Sequence, residues 1–319
     1  MKKIAILTSG GDAPGMNACI RAAVRTALHK GLEVYGVERG YYGLVNNEIF
    51  KMDTHSVCDI IQRGGTFLRT ARCLEFKEPA TRKIAADNLK KLGVEGLVVI
   101  GGDGSFTGAK LISDEQGINV VGIPGTIDND LAYTDYTLGF DTAVNTVLWA
   151  INSLRDTMTS HDRVSLIKVM GRHCGDIALY SAICGGAEFA LVPEVQYDIE
   201  NIANQIKNNM QRGKMANVIV LAEGAGNETE IAAVIKGIAK CDVKITTLGH
   251  VQRGGSPTMA DRMLAARFGH KAIEALLSGE TNRVIGIKKN EIVDLDITEA
   301  LSQKKKIDLK LYEICSELN

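Results

Sequence analysis

The chain lacks the features that mark membrane, secreted and nucleic-acid-binding proteins. No apolar run in its 319 residues approaches the roughly 20 residues that a membrane span needs. The opening MKKIAILTSGG is interrupted by glycine too soon for a signal peptide. Its 37 basic and 38 acidic residues nearly cancel, so it has no basic excess of the kind a general nucleic-acid binder carries. We therefore expect no nucleic-acid or membrane partner, and local clusters must hold any anionic ligand.

Cysteine occurs in a pattern that excludes two kinds of structural site. The seven cysteines are odd in number and scattered, and no C-x-x-C pair occurs. Disulfide frameworks use paired cysteines and zinc sites use closely spaced ones, so we expect neither. The pattern favours a reducing compartment, which we expect to be the cytoplasm.

Aromatic residues are scarce, at 5%, whereas glycine is abundant, with 33 residues. A chain that is 45% hydrophobic and 24% charged has ample material for a core. Glycine-rich turns between β-branched runs predict an α/β fold. At about 150 residues per domain, the length predicts two domains.

Short β-branched runs alternate along the chain with segments of helical period. The predicted strands are 4–7, 34–37, 96–100, 119–123, 164–170, 189–192, 218–221, 244–248 and 284–287. The predicted helices are 17–30, 80–92, 141–159, 199–212, 229–239 and 259–277, with Trp149 expected in the core. This alternation predicts mostly parallel sheets with right-handed crossovers.

Four glycine-bearing loops follow predicted strands, at positions 8–15, 101–105, 124–130 and 171–172. Ligands of open parallel sheets bind beyond the carboxyl ends of the strands, so these loops predict a site. Glycines and helix N-termini admit phosphates, although a tight turn with Asp103 or Ser105 as helix cap fits one such loop equally well. Two loops of this kind favour phosphate binding. Neither matches the P-loop pattern, and a nicotinamide-binding interpretation is weak.

Three acids lie in these loops. Asp103 stands inside a phosphate-type loop, where Mg²⁺ held by one carboxylate and by substrate phosphates would relieve repulsion. Asp128 and Asp130 suit a base that accepts a hydroxyl proton during phosphoryl transfer, although a surface turn explains them as simply.

Several basic residues follow strands or lie on helices. Arg69, Arg72, Arg163, Arg172, His250 and Arg253 are candidate phosphate ligands, and singly each is explained by an exposed surface charge. The same holds for Arg21 with Arg25 and for Arg212 with Lys214, which lie on or beside predicted helices. The run Lys304 to Lys306 is most simply a solvated turn.

Five sequence motifs resemble, in order and spacing, those of the short bacterial ATP-dependent 6-phosphofructokinases. They are TSGGDAPGMNACIR, GGDGS, PGTIDND, VMGR and LGHVQRGGSP. This resemblance covers essentially the whole chain. It implies two doubly wound, mostly parallel α/β/α domains with discontinuous boundaries. An ATP-binding domain would span 1–139 plus 252–302, and a fructose-6-phosphate-binding domain 140–251 plus 303–319. It further implies Mg²⁺-dependent phosphorylation of the sugar 1-hydroxyl at the committed step of glycolysis, by an allosterically regulated cytoplasmic homotetramer.

The resemblance also implies roles for individual residues. ATP would be bound by Gly11, Arg72, Cys73, Gly102, Asp103, Gly104 and Ser105, with Asp103 as the Mg²⁺ contact. Catalysis would involve Asp128 as base with Thr126, Arg72 and Arg172. Fructose 6-phosphate would be bound by Thr126, Ile127, Asp128, Asp130, Arg163, Met170, Gly171, Arg172, Glu223, Lys244, His250 and Arg253, with Arg163 and Lys244 serving a neighbouring subunit. An effector site for ADP or phosphoenolpyruvate would use Arg21, Arg25, Asp59, Arg155, Gly186, Glu188, Arg212 and Lys214.

Two positions depart from the family pattern, and two others bear on the phosphoryl donor. Relatives usually carry Arg at position 244 and commonly an acid at position 168, where this chain has Lys. Pyrophosphate-dependent members carry Asp and Lys at the positions of Gly104 and Gly125, so ATP is the expected donor.

Two alternative functions are a kinase of another substrate and a catalytically inactive subunit that senses nucleotides. GGDG[ST] also occurs in NAD kinases and lipid kinases, although these lack PGTIDND and LGHVQRGGSP. A catalytically inactive nucleotide-sensing subunit should have lost Asp103 or Asp128, and both are present.

Overall fold

The computed structural model describes residues 1–158, 163–214 and 216–318. Within them the strands are β1 Lys3–Thr8, β2 Glu33–Val37, β3 Ile49–Met52, β4 Gly96–Gly101, β5 Asn119–Pro124, β6 Arg163–Val169, β7 Phe189–Leu191, β8 Asn217–Ala222, β9 Asp242–Thr247, β10 Arg283–Lys288 and β11 Glu291–Asp296. The α-helices are α1 Met16–His29, α2 Gly40–Val45, α3 Pro79–Lys91, α4 Asp103–Gln116, α5 Phe140–Met158, α6 Asp176–Gly185, α7 Ile199–Gln211, α8 Glu228–Ala239, α9 Met259–Leu277, α10 Ile297–Ser302 and α11 Leu309–Glu317. Short 3₁₀ turns cover His55–Val57, Leu74–Lys77 and Gly249–Arg253.

The larger sheet has the strand order β11-β10-β5-β4-β1-β2-β3. Its inner strands are parallel, and only the edge strands β3 and β11 pair antiparallel with their neighbours. The inner strands are apolar runs because helices cover both of their faces. The prediction of mostly parallel sheets is confirmed, whereas the two edge strands were not predicted because charged residues interrupt them.

The smaller sheet has the order β7-β8-β6-β9, and all of its pairs are parallel. All six residues of the inner strand β8 are buried. The edge strand β9 has no buried residue along its length. The apolar cluster of this part of the chain lies between the sheet and the helices α7 and α8, around Ile206, Ile219 and Ile235.

The nine predicted strands and six predicted helices are all present, with ends that differ by at most two residues. The predicted end of α5, Thr159, lies outside the described residues. Five helices were not predicted, among them α6, which is apolar on nearly every face and therefore shows no helical period. The expectation that Trp149 lies in the core is wrong, because its side chain on α5 is 72% exposed.

The chain divides into two compact units, each assembled from separate segments. The first unit comprises Met1–Ile127, Leu131–Thr142 and Arg253–Lys304, and the second Asp128–Asp130, Ala143–Gln252 and Lys305–Asn319. In the first unit α1 and α9 pack so closely that a Cβ atom on Gly269 would lie 2.8 Å from that of Ala22. Glycine at position 269 is therefore required by the approach of the two helices.

None of the helices described in 1–158, 163–214 and 216–318 combines the length and the apolar character that crossing a membrane requires.

Candidate active site

In the first unit, three loops meet at the carboxyl ends of β1, β4 and β5. The Ser9 amide donates a hydrogen bond to the Ile100 carbonyl at 2.9 Å, and the Gly125 amide donates to the Gly101 carbonyl at 2.8 Å. The loops that follow these strands therefore lie side by side. Parallel pairing dictates this arrangement, because it places all carboxyl ends at one edge of the sheet.

The loop after β4 leaves open space above its glycines. A Cβ atom added to Gly102 or Gly104 would meet no other atom within 4 Å. Asp103, between them, is the first residue of α4, and the N-terminus of a helix attracts anions through its dipole and its backbone N–H groups. The Tyr41 hydroxyl donates to the Ser105 carbonyl and holds the first turn of this helix. Open space, a helix N-terminus and a fixed backbone together suit a bound phosphate chain.

The donor set around Asp103 fits a metal that arrives with a nucleotide. Across the described ranges no group of three His, Cys, Asp or Glu residues is placed to hold a metal ion. Mg²⁺ is commonly held by one or two carboxylates together with substrate phosphates and water. A single carboxylate beside an open phosphate-type loop matches that mode, not a metal cage built from protein alone.

Arg253 and Gly11 are packed against each other in the first unit. The Arg253 guanidinium occupies the place that a Cβ atom on Gly11 would need. Its Nη1 atom lies 4.0 Å from Asp12 Oδ1, and its buried Nε atom has no hydrogen-bond partner among the described residues. A largely buried guanidinium with an unsatisfied donor suits an anionic ligand.

Other predicted nucleotide residues of this unit lie in irregular chain before the turn Leu74–Lys77. Arg72 is exposed, and Cys73 is half-buried with its thiol 3.8 Å from Glu75 Oε2. Burial raises the pKa of the Cys73 thiol.

Thr126 and Ile127, predicted to bind the sugar phosphate, lie in the loop after β5. Thr126 accepts a hydrogen bond at its carbonyl from Thr137 at 2.6 Å, whereas the Ile127 side chain is buried. A contact of Ile127 with a ligand would therefore use its backbone.

In the second unit, a carboxylate and a guanidinium from two predicted site loops lie together. Asp128 Oδ2 is 3.3 Å from Arg172 Nε, and the Asp128 side chain is almost completely buried. The Arg172 amide donates to Glu223 Oε1 at 2.8 Å, and this hydrogen bond fixes the backbone at Arg172. Burial raises the pKa of Asp130, and the nearby cations Arg172, Lys305 and His173 oppose that effect.

The backbone after β6 takes an uncommon path that places Arg172. Gly171 has φ 127° and Arg172 has φ 52°, so two successive residues lie at positive φ. A Cβ atom on Gly171 would collide with the Cys174 carbonyl, which explains the glycine. The turn redirects the chain at the end of the strand.

The buried Gln252 has a structural role that the sequence analysis missed. Its Oε1 atom accepts from the Met170 amide at 3.2 Å, and its Nε2 atom donates to the Gly249 carbonyl at 3.0 Å. It thereby ties the end of β6 to the turn that carries His250, which is exposed. Its position inside the motif LGHVQRGGSP was the one feature of the sequence that could have pointed to this role.

Arg163 and Lys244 meet at one carboxylate on neighbouring strands. Arg163 Nε lies 3.5 Å and Lys244 Nζ 3.1 Å from Asp242 Oδ2. The hydrogen bond from Lys244 is the leading cause of the lowered pKa of Asp242. Asp242 was not among the predicted residues, and it holds two cations at the exposed edge of the smaller sheet.

The predicted effector residues fall into clusters within each unit. In the first unit, Arg25 Nη2 lies 3.9 Å from Cys58 Sγ, Arg21 is half-buried and Asp59 is exposed at φ 54°. In the second unit, Lys214 Nζ lies 3.0 Å from the buried Glu188 Oε1, and Glu188 Oε2 accepts from the Val218 amide. Arg155 donates to the carbonyls of Gly185 and Gly186, and Arg212 is exposed directly after α7.

The comparison with protein families decides the membership of the chain. The model of the family Phosphofructokinase matches residues 3–276. The chain belongs to the phosphofructokinase family. It is 60% identical, over 100% of both chains, to curated proteins named ATP-dependent 6-phosphofructokinase from Clostridium botulinum and ATP-dependent 6-phosphofructokinase 1 from Clostridium perfringens.

A solved structure supports the same assignment at the level of the fold. Phosphofructokinase from Saccharomyces cerevisiae superposes with a TM-score of 0.90 at 35% identity and covers 100% of this chain. The chain spans only 48% of that yeast chain. The resemblance shown by the sequence motifs is thus confirmed, and so is the phosphofructokinase fold.

Within this family, Gly104 and Gly125 differ in their surroundings. Space is open at Gly104, whereas a Cβ atom on Gly125 would lie 2.9 Å from both the Ile100 Cγ2 and Met16 Cε atoms. Gly125 is therefore required by packing as well as by any ligand. Of these two glycines, Gly104 is the one where a side chain can be added without disturbing the core.

Lys168, the second departure from the family pattern, has an ionic partner. Its Nζ atom lies 2.7 Å from Glu228 Oε2, and both side chains are largely buried. The hydrogen bond from Lys168 lowers the pKa of Glu228. The pair joins β6 to the first residue of α8, and the loop that begins with Glu223 leads from β8 directly into that helix.

Proposed function

We propose that the residues described above carry out the phosphofructokinase reaction of this chain. The chain catalyses transfer of the γ-phosphoryl group of ATP to the 1-hydroxyl of D-fructose 6-phosphate, which gives fructose 1,6-bisphosphate and ADP in glycolysis. The observation that carries the assignment of roles is the buried Asp128 carboxylate held 3.3 Å from Arg172. A buried carboxylate beside a fixed cation suits a base at a phosphoryl-transfer centre.

The nucleotide is assigned to the loops of the larger sheet, in a domain formed by residues 1–139 and 252–302. Gly11, Arg72, Cys73 and residues 102–105 contact ATP. The open space at Gly102 and Gly104 and their place at the N-terminus of α4 support this assignment. Asp103 holds Mg²⁺, which neutralises charge on the phosphates when it is bound with the nucleotide.

The sugar phosphate is assigned to residues 140–251 and 303–319, with Thr126, Ile127, Asp128 and Asp130 contributed by the loop after β5. Met170 and Gly171 border the sugar, Glu223 accepts hydrogen bonds from its hydroxyls, and His250 and Arg253 bind its phosphate. The spare donor of Arg253 supports the last of these roles. Asp128 removes the proton of the 1-hydroxyl, and Arg72 and Arg172 stabilise the charge that develops on the transferring group. Thr126 positions the sugar beside Asp128.

The enzyme is further assigned a homotetrameric state in which Arg163 and Lys244 complete the site of a neighbouring subunit. Their shared partner Asp242, on an edge strand without buried residues, supports an exposed role for both. Mixing inactive Arg163→Ala with inactive Asp128→Ala subunits then restores part of the activity, because some mixed sites contain both residues. No recovery despite demonstrated subunit exchange would count against a shared site.

A regulatory site for ADP or phosphoenolpyruvate is assigned to Arg21, Arg25 and Asp59 together with Arg155, Gly186, Glu188, Arg212 and Lys214. The excess of cations in both clusters supports a phosphate-bearing effector. We assign the enzyme to the cytoplasm, because a reducing compartment suits seven scattered cysteines without a C-x-x-C pair.

One experiment tests the central assignment against its two alternatives. Purified protein is given Mg²⁺ and ATP with fructose 6-phosphate, with NAD, with diacylglycerol or with no acceptor, and ADP release is measured. Rapid release with fructose 6-phosphate alone supports the proposal. Release with another acceptor would indicate a different kinase, and nucleotide binding without release would indicate a sensing subunit.

A further inference from the structure

Three side chains of the second unit form a chain of contacts that ends at the loop of Asp128. Asn129 Nδ2 donates a hydrogen bond to Asp176 Oδ2 at 2.8 Å. Lys305 Nζ lies 3.2 Å from the same Oδ2 atom. Lys305 is the middle residue of the lysine run, so the expectation that this run is simply a solvated turn is wrong for that residue.

Because the three side chains are largely buried, breaking a contact between them costs more free energy than at the surface. Asn129 is 1% exposed and Asp176 is 5% exposed. The Lys305 side chain is 20% exposed, whereas Lys304 and Lys306 on either side of it are exposed. Removing one partner of a buried ion pair is costly, because it leaves the other charge without compensation. Lys305 therefore compensates the charge of the buried Asp176.

The backbone at Asn129 needs an anchor of this kind. Its φ of 52° lies in the left-handed region, which Asn adopts more readily than most non-glycine residues but which is still less favourable than the right-handed regions. The Asn129 carbonyl accepts a hydrogen bond from the Cys174 thiol at 3.8 Å, which holds the other side of the peptide. Because Asn129 is covalently bonded to Asp128 and Asp130, a change in its conformation moves both acids.

We propose that Lys305 is a positioning residue for Asp128, acting through Asp176 and Asn129. This inference rests on the proposed role of Asp128 as the base. Lys305 neutralises Asp176, Asp176 fixes the Asn129 amide, and the fixed left-handed turn sets the direction of the Asp128 carboxylate. Misplacement of a reacting group by about 1 Å can cost about 10²-fold in rate, so loss of Lys305 lowers kcat.

The experiment compares Lys305→Met and Lys305→Gln with Lys305→Arg, and with the matched controls Lys304→Met and Lys306→Met. We expect the two neutral variants to lower kcat by roughly tenfold or more with little change in the KM for ATP. Lys305→Arg keeps the charge and should retain most of the activity. The two control variants should match the wild type, because their side chains are exposed.

A double-mutant cycle tests the route through Asp176. If Lys305 acts by neutralising Asp176, the variant Asp176→Asn combined with Lys305→Met should lose no more activity than Asp176→Asn alone. Multiplying losses would overturn this route. Thermal unfolding and ATP titration of each variant separate misfolding from misplacement of the base.

The outcomes separate this inference from the proposed function. A wild-type enzyme without activity on fructose 6-phosphate would overturn both. An active wild type with unchanged kcat in Lys305→Met and Lys305→Gln would overturn the positioning role alone. A loss shared equally by all three lysine positions would also overturn it, because general removal of positive charge would then be the cause.

Discussion

The Oδ2 atom of Asp128 lies 3.3 Å from the Nε atom of Arg172, although the two residues are 44 positions apart in the sequence. Asp128 follows β5 of the larger sheet, and Arg172 follows β6 of the smaller sheet. The residue after Asp128, Asn129, and the residue before Arg172, Gly171, both have positive φ. The carboxylate is buried and the guanidinium is partly exposed. A charge-assisted contact of this kind orients the carboxylate, and the exposed part of the guanidinium stays available for a second anion.

Removal of the Asp128 charge should abolish most turnover. We expect Asp128→Asn to lower kcat by roughly 10²–10⁴ with nearly unchanged KM for ATP, because only proton removal is lost. Steady-state kinetics with fructose 6-phosphate measures both quantities. Asp87→Asn, at an exposed position of α3, is the matched control. Near-normal kcat in Asp128→Asn would remove this residue from the role of base.

A carboxylate at position 104 should weaken the use of ATP. Because a Cβ atom at Gly104 meets nothing within 4 Å, Gly104→Asp should fold, and its charge should then repel the nucleotide phosphates. We expect kcat/KM for ATP to fall by roughly tenfold or more, since like charges at short range cost about 1–4 kcal/mol. Gly237→Asp adds the same side chain in open space on α8 and should leave this constant unchanged. Equal effects of the two substitutions would contradict a phosphate chain at Gly104.

The ion pair of Lys168 and Glu228 should influence affinity for the sugar phosphate. Lys168→Met releases the start of α8 and with it the loop of Glu223, so we expect the KM for fructose 6-phosphate to rise by roughly fivefold. The KM for ATP should not change, and Lys168→Arg should behave as wild type. Lys207→Met, at an exposed position of α7, is the control. An unchanged sugar KM would leave the pair with a purely structural role.

The buried Glu188 should influence the response to ADP. Glu188→Gln retains an acceptor for the Val218 amide but removes the charge that pairs with Lys214. We expect a smaller shift of the fructose 6-phosphate saturation curve by ADP, with kcat at saturating substrate unchanged. Arg25→Ala and Arg212→Ala should blunt the response to both effectors. If the wild-type curve moves with neither ADP nor phosphoenolpyruvate, the regulatory assignment fails.

Asp261 should give the protein a pH-dependent stability in mildly acidic solution. Its carboxylate accepts hydrogen bonds from the Gly139 and Thr142 amides at 2.8 and 2.9 Å, and it therefore caps the start of α5 from α9. Burial raises the pKa of Asp261 from its ordinary value of 3.8 to about 6. The folded state then binds a proton that the unfolded chain has released, so this group's contribution to stability falls as pH rises from about 4 to about 6.

The size of this effect is about 3 kcal/mol, from about 1.4 kcal/mol for each unit of pKa difference. Denaturant titrations between pH 4 and 7, on wild type and Asp261→Asn, measure it. The variant should lose this part of the pH dependence. It should also be less stable than wild type at pH 7, because its amide group replaces one acceptor oxygen with a donor that faces N–H groups. An identical slope with pH in both proteins would contradict the raised pKa.

The order of the elements and the positions of the candidate site loops were determined by the sequence alone. Apolar runs such as 97–100 and 120–123 form parallel strands because they can be buried only when helices cover both faces. Glycines close behind those runs predict loops at the ends of the strands. The loop motifs could therefore be recognised from the sequence before any contact was known. The approach of the loops after β1, β4 and β5 followed from parallel pairing itself.

The tertiary structure decided which side chains meet. The spacing of residues gives no sign that Lys305 reaches Asp176, that Gln252 ties down Met170, or that Asp261 caps α5. These contacts join residues 82 to 129 positions apart, and they form only after strands and helices have packed. A charged residue in isolation looks like a solvated surface group, and its role depends on whether packing removes its water and supplies a partner. Trp149 shows the converse, because an apolar side chain at a helical period stays exposed when no neighbouring element covers it.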